Sequence, residues 1–263
     1  MVEAASAIAL RDVTKRYDGD RAPALDRFSL DVANNEFLAV VGQSGSGKTT
    51  LLRLINRLIE PTSGTVLVEG ADVRGTDPIQ LRRRIGYVFQ GVGLFPHMTV
   101  GENIAITPRL IGGDRSAIAA RVDELIGLVR LDPAQHRDRF PHELSGGERQ
   151  RVGFARALAA KPRIMLMDEP FGALDPLTRE ALSNEYRALH DKLGLTTVMI
   201  THDMTEALLL ADRIAVVHGG RLVAQDTPRG FMRGGQDGYI GELMQTPRRH
   251  AERLQALVDG RGP

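Results

Sequence analysis

The chain has 263 residues and no cysteine, which excludes disulfides and thiolate metal sites and is consistent with a reducing cytosol. It also lacks any run approaching the ~18 apolar residues that cross a bilayer as a helix. The first ten residues do not combine a basic start with a long apolar stretch, as a signal peptide would. We therefore expect a protein without membrane spans, which would reach a membrane only through a partner.

An excess of charge of either sign is missing as well. Lys and Arg number 34 against 33 Asp and Glu, a formal net charge of +1, so bulk charge does not indicate a polyanionic partner. The sequence contains no internal repeat. Its length gives room for one large domain or two small ones, with an ample core.

One stretch of the chain matches a motif with a physical mechanism. Residues 42–49 fit G-x-x-x-x-G-K-[ST], between an apolar strand pattern at 37–41 and a helical pattern from 51 to 58. The glycines permit positive φ, so backbone N–H groups can turn toward a polyphosphate at the start of the helix. Lys48 would reach the β- and γ-phosphates, and the Thr49 hydroxyl would ligate Mg²⁺.

The alternative is a flexible Gly/Ser loop before an ordinary helix. Because the strand and the helix stand on the correct sides, we predict instead that the chain binds ATP or GTP. The predicted cradle consists of Gly42, Gln43, Ser44, Gly45, Ser46, Gly47, Lys48, Thr49 and Thr50.

The rest of the pattern predicts an α/β fold. Strand patterns at 8–17, 28–32 and 65–70 surround the loop, and the first of them is expected at a sheet edge. Later apolar strands alternate with helices, which implies right-handed crossovers and ligands at the carboxyl ends of parallel strands. From 100 to 160 the pattern is helical, as in a separate lobe inserted into the α/β core.

Two adjacent carboxylates, Asp168 and Glu169, follow an apolar strand. They repel each other unless a cation lies between them, so Mg²⁺ is a natural companion. Neighbouring residues at a strand end point in different directions. Asp168 can therefore support the metal while Glu169 polarises an attacking water. The alternative is a solvated acidic turn.

The segment Leu144-Ser145-Gly146-Gly147-Glu148 opens a second helix. Ser145 can cap this helix, and the glycines leave its N–H groups open to an anion. By itself the segment is an ordinary helix N-cap.

Together these motifs resemble those of ABC-transporter ATPase subunits. The phosphate loop, Gln90, residues 144–148, 167–170, 173–175 and 201–203 occur in the order and rough spacing of that family, over residues 7–228. The resemblance implies a P-loop NTPase core with a mostly parallel sheet, an antiparallel β subdomain and an inserted helical subdomain. It divides the chain into residues 1–90 and 161–228 for the core, 91–160 for the helical signature subdomain, and 229–263 for a short C-terminal extension with a basic helix at 247–258.

The resemblance also assigns roles to single residues. Tyr17 would stack on adenine, Gln90 would sense Mg²⁺ and the attacking water, and His202 would contact the γ-phosphate. Asp175 would communicate across a dimer, and Glu148 stands where Gln is commoner, which leaves its contact open. Otherwise Tyr17 is a surface aromatic of an edge strand and His202 an ordinary strand-end histidine.

A homodimer follows from the same resemblance. In the family, the phosphate loop of one chain and Ser145, Gly146 and Gly147 of its partner close on the same ATP.

Residues 93–100, 102–104, 141–144 and 171–176 further resemble importer ATPases for glycine betaine, choline and carnitine. This implies integral-membrane permease subunits, an indirect substrate-binding protein, and a place at the cytoplasmic side of the membrane. Leu94, Phe95 and Met98 would be exposed and line the groove for the permease; alternatively they pack against their own lobe.

Other functions are alternatives to this one. The chain could energise an importer of another small solute, such as an amino acid, or be a soluble ABC ATPase acting on nucleic acid or ribosomes. The paired cassettes, long coiled-coil insertions and basic linkers of the latter class are not visible, so we expect no nucleic-acid partner. The signature and residues 201–203 argue against a nucleotide kinase of another family.

Overall fold

The computed structural model describes residues 6–19, 22–234 and 238–245, together with 247 and 249. Its strands are β1 (Ser6–Lys15), β2 (Leu25–Ala33), β3 (Phe37–Val41), β4 (Ser63–Val68), β5 (Ala71–Asp72), β6 (Ile85–Val88), β7 (Ile164–Asp168), β8 (Thr196–Thr201), β9 (Arg213–His218) and β10 (Arg221–Asp226). Its α-helices are α1 (Lys48–Ile55), α2 (Pro78–Arg84), α3 (Val100–Leu110), α4 (Arg115–Leu128), α5 (Pro133–His136), α6 (Gly146–Leu158), α7 (Pro176–Leu193), α8 (Met204–Leu210) and α9 (Pro228–Arg233). Two 3₁₀ turns span Val73–Gly75 and Pro141–Glu143.

The strands form two sheets. One is antiparallel, with the order β2-β1-β4-β5, and the other has six strands in the order β10-β9-β3-β8-β7-β6. In the six-stranded sheet the neighbours from β9 to β6 are parallel, and β10 is antiparallel to β9. Both β3 and β7 are buried along their whole length, because helices or the other sheet cover both faces of a parallel sheet. The predicted fold class is confirmed.

The prediction that β1 lies at a sheet edge was wrong. β1 pairs with β2 on one side and with β4 on the other. Its alternating pattern reports which side chains are buried, but it does not report how many strands pair with the backbone. The sequence patterns also missed β10, whose residues are mostly exposed.

Side chains of β3 alternate between two apolar clusters on opposite faces of the six-stranded sheet. Phe37, Ala39 and Val41 belong to the cluster that includes the buried residues of α3, α4 and α6. Leu38 and Val40 belong to the cluster beneath α1 and the antiparallel sheet. The nucleotide-loop strand is thus fixed from both faces.

The described C-terminal residues pack on this core. Residues 238–245 are helical, Met244 has 0% exposure, and Tyr239, Ile240 and Leu243 contact the cluster that contains Phe37. The division into four segments stays a prediction, and the basic helix expected at 247–258 lies outside the described residues except for 247 and 249. None of the described helices has the length and apolarity needed to cross a bilayer.

Candidate functional site

The predicted phosphate loop leaves the carboxyl end of β3 and ends where α1 begins at Lys48. Gly47 adopts a φ of 100°, which favours glycine. A Cβ on Gly47 would lie 2.3 Å from the Ala24 carbonyl oxygen, and one on Gly42 would lie 2.2 Å from that of Val217. No side chain caps the start of α1, so its first N–H groups can point at an anion.

Lys48 crosses back over the loop. Its Nζ donates to the carbonyl oxygens of Gly42 at 2.7 Å and Gln43 at 2.8 Å. Burial lowers the pKa of Lys48, while the charges of Glu169 and Asp168 act in the opposite direction. Its two acceptors are uncharged carbonyls. The ammonium group is therefore held in place without a hydrogen-bonded carboxylate and keeps a positive charge to offer a phosphate.

Tyr17 lies just beyond β1 and beside this loop. It is half-buried, and its hydroxyl is 3.4 Å from that of Thr50 in the first turn of α1. Lys15 Nζ lies 5.1 Å from the centre of the ring. An aromatic ring next to the phosphate loop is placed where a nucleobase could stack on it.

Three predicted residues meet at one oxygen atom, Oε2 of Glu169. Gln90 Nε2 donates to it at 3.3 Å, and His202 Nδ1 lies 3.3 Å from it. The three residues follow β6, β7 and β8, which are neighbours in the sheet. Glu169 has a φ of 45° and its N–H donates to the Ile200 carbonyl at 3.0 Å, so this backbone conformation is held by a neighbouring strand.

Asp168 faces the phosphate loop from the end of β7. The Thr49 hydroxyl donates to its Oδ1 at 3.4 Å. Burial, together with the charge of Glu169, raises the pKa of Asp168, so a cation beside it would favour the carboxylate. The described residues contain no group of three or more His, Asp or Glu side chains able to hold a metal by themselves. The two oxygen donors present, the Thr49 hydroxyl and the Asp168 carboxylate, fit Mg²⁺, a hard cation that takes its remaining ligands from phosphates and water.

Ser145 caps α6 in a reciprocal arrangement with Glu148. The Glu148 N–H donates to Ser145 Oγ at 3.2 Å, and the Ser145 N–H donates to Glu148 Oε2 at 2.8 Å. His136 Nε2 lies 3.1 Å from the other carboxylate oxygen of Glu148. These contacts, the Ser145 N–H first, lower the pKa of Glu148 to about 2. Within one chain, the Glu148 carboxylate therefore stabilises the start of α6.

The start of α7 packs against this segment. A Cβ on Gly147 would lie 2.7 Å from Thr178 Cγ2, and Asp175 caps α7 by accepting from the Thr178 N–H at 3.1 Å. Among the described residues, no hydrogen bond or ion pair joins 145–148 or Asp175 to the loop at 42–50. One chain therefore presents two separate groups of predicted site residues.

The sequence patterns missed two residues that hold the loop after Gln90. The buried Arg156 of α6 donates to the carbonyls of Gly93 at 2.6 Å and Val92 at 2.8 Å. The fully buried Asn103 of α3 accepts from the Phe95 N–H at 2.8 Å. The sequence signals that could have identified them are a single arginine, Arg156, and a single asparagine, Asn103, each on an apolar face of its helix.

The expectation that Leu94, Phe95 and Met98 are all exposed was wrong in part. Phe95 is 39% exposed, whereas Leu94 and Met98 are half-buried and Leu94 packs against the core. Asn103 draws this loop toward α3 by donating to the Met98 carbonyl at 3.1 Å, which turns part of its apolar surface inward.

Comparisons with known proteins extend these observations. The model of the ABC transporter family matches residues 25–172. The choline transport ATP-binding protein OpuBA of Bacillus subtilis (strain 168) is 43% identical over 96% of this chain and 67% of its own length. The glycine betaine/carnitine/choline transport ATP-binding protein OpuCA of the same organism is 46% identical over 90% of this chain and 62% of its own length.

The sulfate/thiosulfate import ATP-binding protein CysA of Caulobacter vibrioides is 48% identical over 84% of this chain and 65% of its own length. The chain thus spans about two thirds or less of these three relatives. A solved dimeric structure of the ATP-binding cassette MJ0796, in a post-hydrolysis state bound to ADP and Pi, matches with a TM-score of 0.76. Its sequence is 33% identical, over 85% of this chain and 99% of that one.

Proposed function

The chain belongs to the ABC transporter family, and from this membership we propose that it is the ATP-binding and ATP-hydrolysing subunit of an importer. The observation that carries the proposal is the meeting of Gln90 and His202 at one carboxylate oxygen of Glu169. This group stands at the same sheet edge as the loop that contains Lys48.

In this proposal Tyr17 stacks on adenine, and the N–H groups of the loop and of the first turn of α1 donate to the phosphates. Lys48 contacts the β- and γ-phosphates. Thr49, Asp168 and Gln90 hold Mg²⁺, which neutralises charge on the phosphate oxygens when it is bound.

Hydrolysis requires a water molecule aligned with the γ-phosphorus. Glu169 accepts a hydrogen bond from this water and takes up its proton as the new P–O bond forms. The bond between the γ-phosphorus and the bridging oxygen breaks, which leaves ADP and phosphate. Gln90 and His202 orient Glu169, and His202 also faces the γ-phosphate.

The second group of residues would act on a partner chain. We propose a two-fold homodimer in which Ser145, Gly146 and Gly147 of one chain face the γ-phosphate held by the other. Asp175 lies at the same surface and would contact the partner. The dimeric structure of MJ0796 supports this arrangement.

We propose glycine betaine, choline and carnitine as the transported solutes, since OpuBA and OpuCA are named for them. CysA, named for sulfate and thiosulfate, is of similar identity, so another small solute is the second candidate. In either case the chain would bind permease subunits at the cytoplasmic side of the membrane, and a substrate-binding protein would act indirectly. A nucleic-acid partner is not part of the proposal.

The experiment is uptake of labelled glycine betaine, choline, carnitine and sulfate by cells that lack other importers for them. Cells with the wild-type chain and its permease should take up the quaternary amines. Lys48→Ala should abolish uptake and ATP binding, whereas Lys161→Ala, at an exposed lysine, should change neither. Uptake of sulfate alone would show that the transported solute is not a quaternary amine. Uptake that does not depend on ATP would refute the proposed function.

A further inference from the structure

The helical residues 238–245 dock on the core next to the phosphate loop. Met244 is fully buried, and Ile240 and Leu243 pack against the apolar cluster that contains the odd-numbered side chains of β3. The packing brings Tyr239 to the carboxyl end of β3. Its ring lies 4.2 Å from that of His218, centre to centre, at 41°. Residues 238–245 are therefore fixed on the core by their own side chains.

From this position Tyr239 reaches the loop. Its hydroxyl oxygen accepts a hydrogen bond of 2.9 Å from the Gln43 N–H. The Gly42 carbonyl, which belongs to the same peptide group, accepts from Lys48 Nζ at 2.7 Å. One planar peptide unit is thus held at both edges, by Lys48 on its oxygen and by Tyr239 on its nitrogen.

We propose that Tyr239 is a positioning residue for Lys48. By fixing the N–H of the Gly42–Gln43 peptide, its hydroxyl fixes the direction of the Gly42 carbonyl, one of the two carbonyls that accept from the ammonium group. The Gln43 carbonyl is held separately, by Lys48 Nζ at 2.8 Å and by the Ser46 N–H at 3.2 Å, so it is the Gly42–Gln43 peptide whose orientation depends on Tyr239. This inference rests on the proposed function, because its effect on activity passes through the phosphate contact of Lys48.

Two further contacts hold the loop at other places and do not replace the contact of Tyr239. The Gly220 N–H donates to the Ser46 carbonyl at 3.2 Å, and Gly42 abuts the Val217 carbonyl. The first contact holds the far end of the loop. The second positions the Gly42 Cα, and neither one acts on the Gln43 nitrogen.

Tyr239→Phe is the test, because it removes one oxygen atom and leaves the ring on His218. We expect two readouts to change together. The Gln43 amide should exchange its hydrogen faster with solvent, by about tenfold, and affinities for ATP and ADP should fall by about two- to tenfold, the usual effect of one hydrogen bond. Affinity for AMP should stay unchanged, since AMP lacks the phosphates that Lys48 would reach.

Tyr186→Phe is the matched control. It removes a phenol hydroxyl that lies 2.9 Å from Thr197 Oγ1 in the core, so it tests whether general destabilisation weakens ATP binding. Equal affinities of the wild type and Tyr239→Phe for ATP, with faster exchange at Gln43, would overturn the inference and leave the proposed function standing. An equal loss in both variants would overturn it as well. A wild-type chain that binds no ATP would instead refute the proposed function.

Discussion

Oε2 of Glu169 is the atom on which the proposed chemistry depends. Gln90 and His202 both contact it, and the backbone of Glu169 adopts a φ of 45°. A non-glycine residue at such a φ costs of order 1–3 kcal/mol. The two adjacent acids have different partners, Thr49 beside Asp168 and Gln90 beside Glu169.

Glu169→Gln keeps the shape of the side chain and removes its ability to take up a proton. We expect ATP affinity to be retained and ATP turnover to fall about 10²- to 10⁴-fold, the usual contribution of a general base. Steady-state phosphate release and equilibrium nucleotide binding, measured in parallel, check this. Glu180→Gln, at an exposed site of α7, is the control. Turnover within a few-fold of the wild type would remove Glu169 as the base.

Burial shifts the pKa values of the two charged groups beside the loop, Lys48 and Asp168, in opposite directions. It lowers the pKa of Lys48 and raises the pKa of Asp168, so in each case the neutral form is favoured. A phosphate beside Lys48 and a divalent cation beside Asp168 would both favour the charged forms. We therefore expect the proposed site to bind a magnesium nucleotide more tightly than the nucleotide or the cation alone.

Helix α6 carries two of the contacts that join distant parts of the domain. Its first turn is stabilised by Ser145, Glu148 and His136. Its last turn holds the loop after Gln90 through Arg156. A shift of this helix would therefore move residues 145–148 together with the loop that follows Gln90.

Glu148→Gln tests the first of these contacts through pH. The pKa of Glu148 is lowered from 4.5 to about 2 in the folded chain, so its charge stabilises the fold fully above the unfolded value and less as pH falls toward 2. We expect the variant to be less stable by about 1 kcal/mol at pH 7. This difference should shrink between pH 5 and 3. Urea unfolding of both proteins across this range is the measurement, and a difference independent of pH would contradict it.

The molecule as a whole presents two predicted half-sites that its own chain does not join. The loop at 42–50 and the segment at 145–148 share no hydrogen bond among the described residues. Both are helix N-termini that can face an anion. In the proposed two-fold arrangement of two chains, the loop at 42–50 of each chain faces the segment at 145–148 of its partner.

A substitution at this surface tests the dimer. In the Glu169→Gln background, MgATP should convert the protein from monomer to dimer in sedimentation experiments. Adding Ser145→Arg should keep it monomeric, because a bulky cation would occupy the closing surface, while ATP affinity of the monomer remains. Ser116→Arg, at an exposed helix start in the same lobe, should dimerise normally. A dimer formed equally by the Ser145→Arg protein would exclude the proposed contact.

Many of the predicted elements follow from local patterns. The apolar strands before the loop and before Asp168 are present in the structure as β3 and β7, and α1 begins within the loop motif, at Lys48. Such elements depend on residues close in sequence. The interior position of β1 and the existence of β10 depend instead on backbone pairing with other strands. The periodicity of side chains does not report this pairing.

The sequence by itself determined the phosphate loop, since the glycine backbone, Lys48 and the start of α1 lie within a few residues of one another. It also determined that Asp168 ends a buried strand and that Glu169 follows it. Only the tertiary structure decided which groups fix these residues: His136 on Glu148, Arg156 on the loop after Gln90, and Tyr239 on Gln43, 196 positions away. Contacts of that range depend on the order of strands and the docking of helices, which no local pattern encodes.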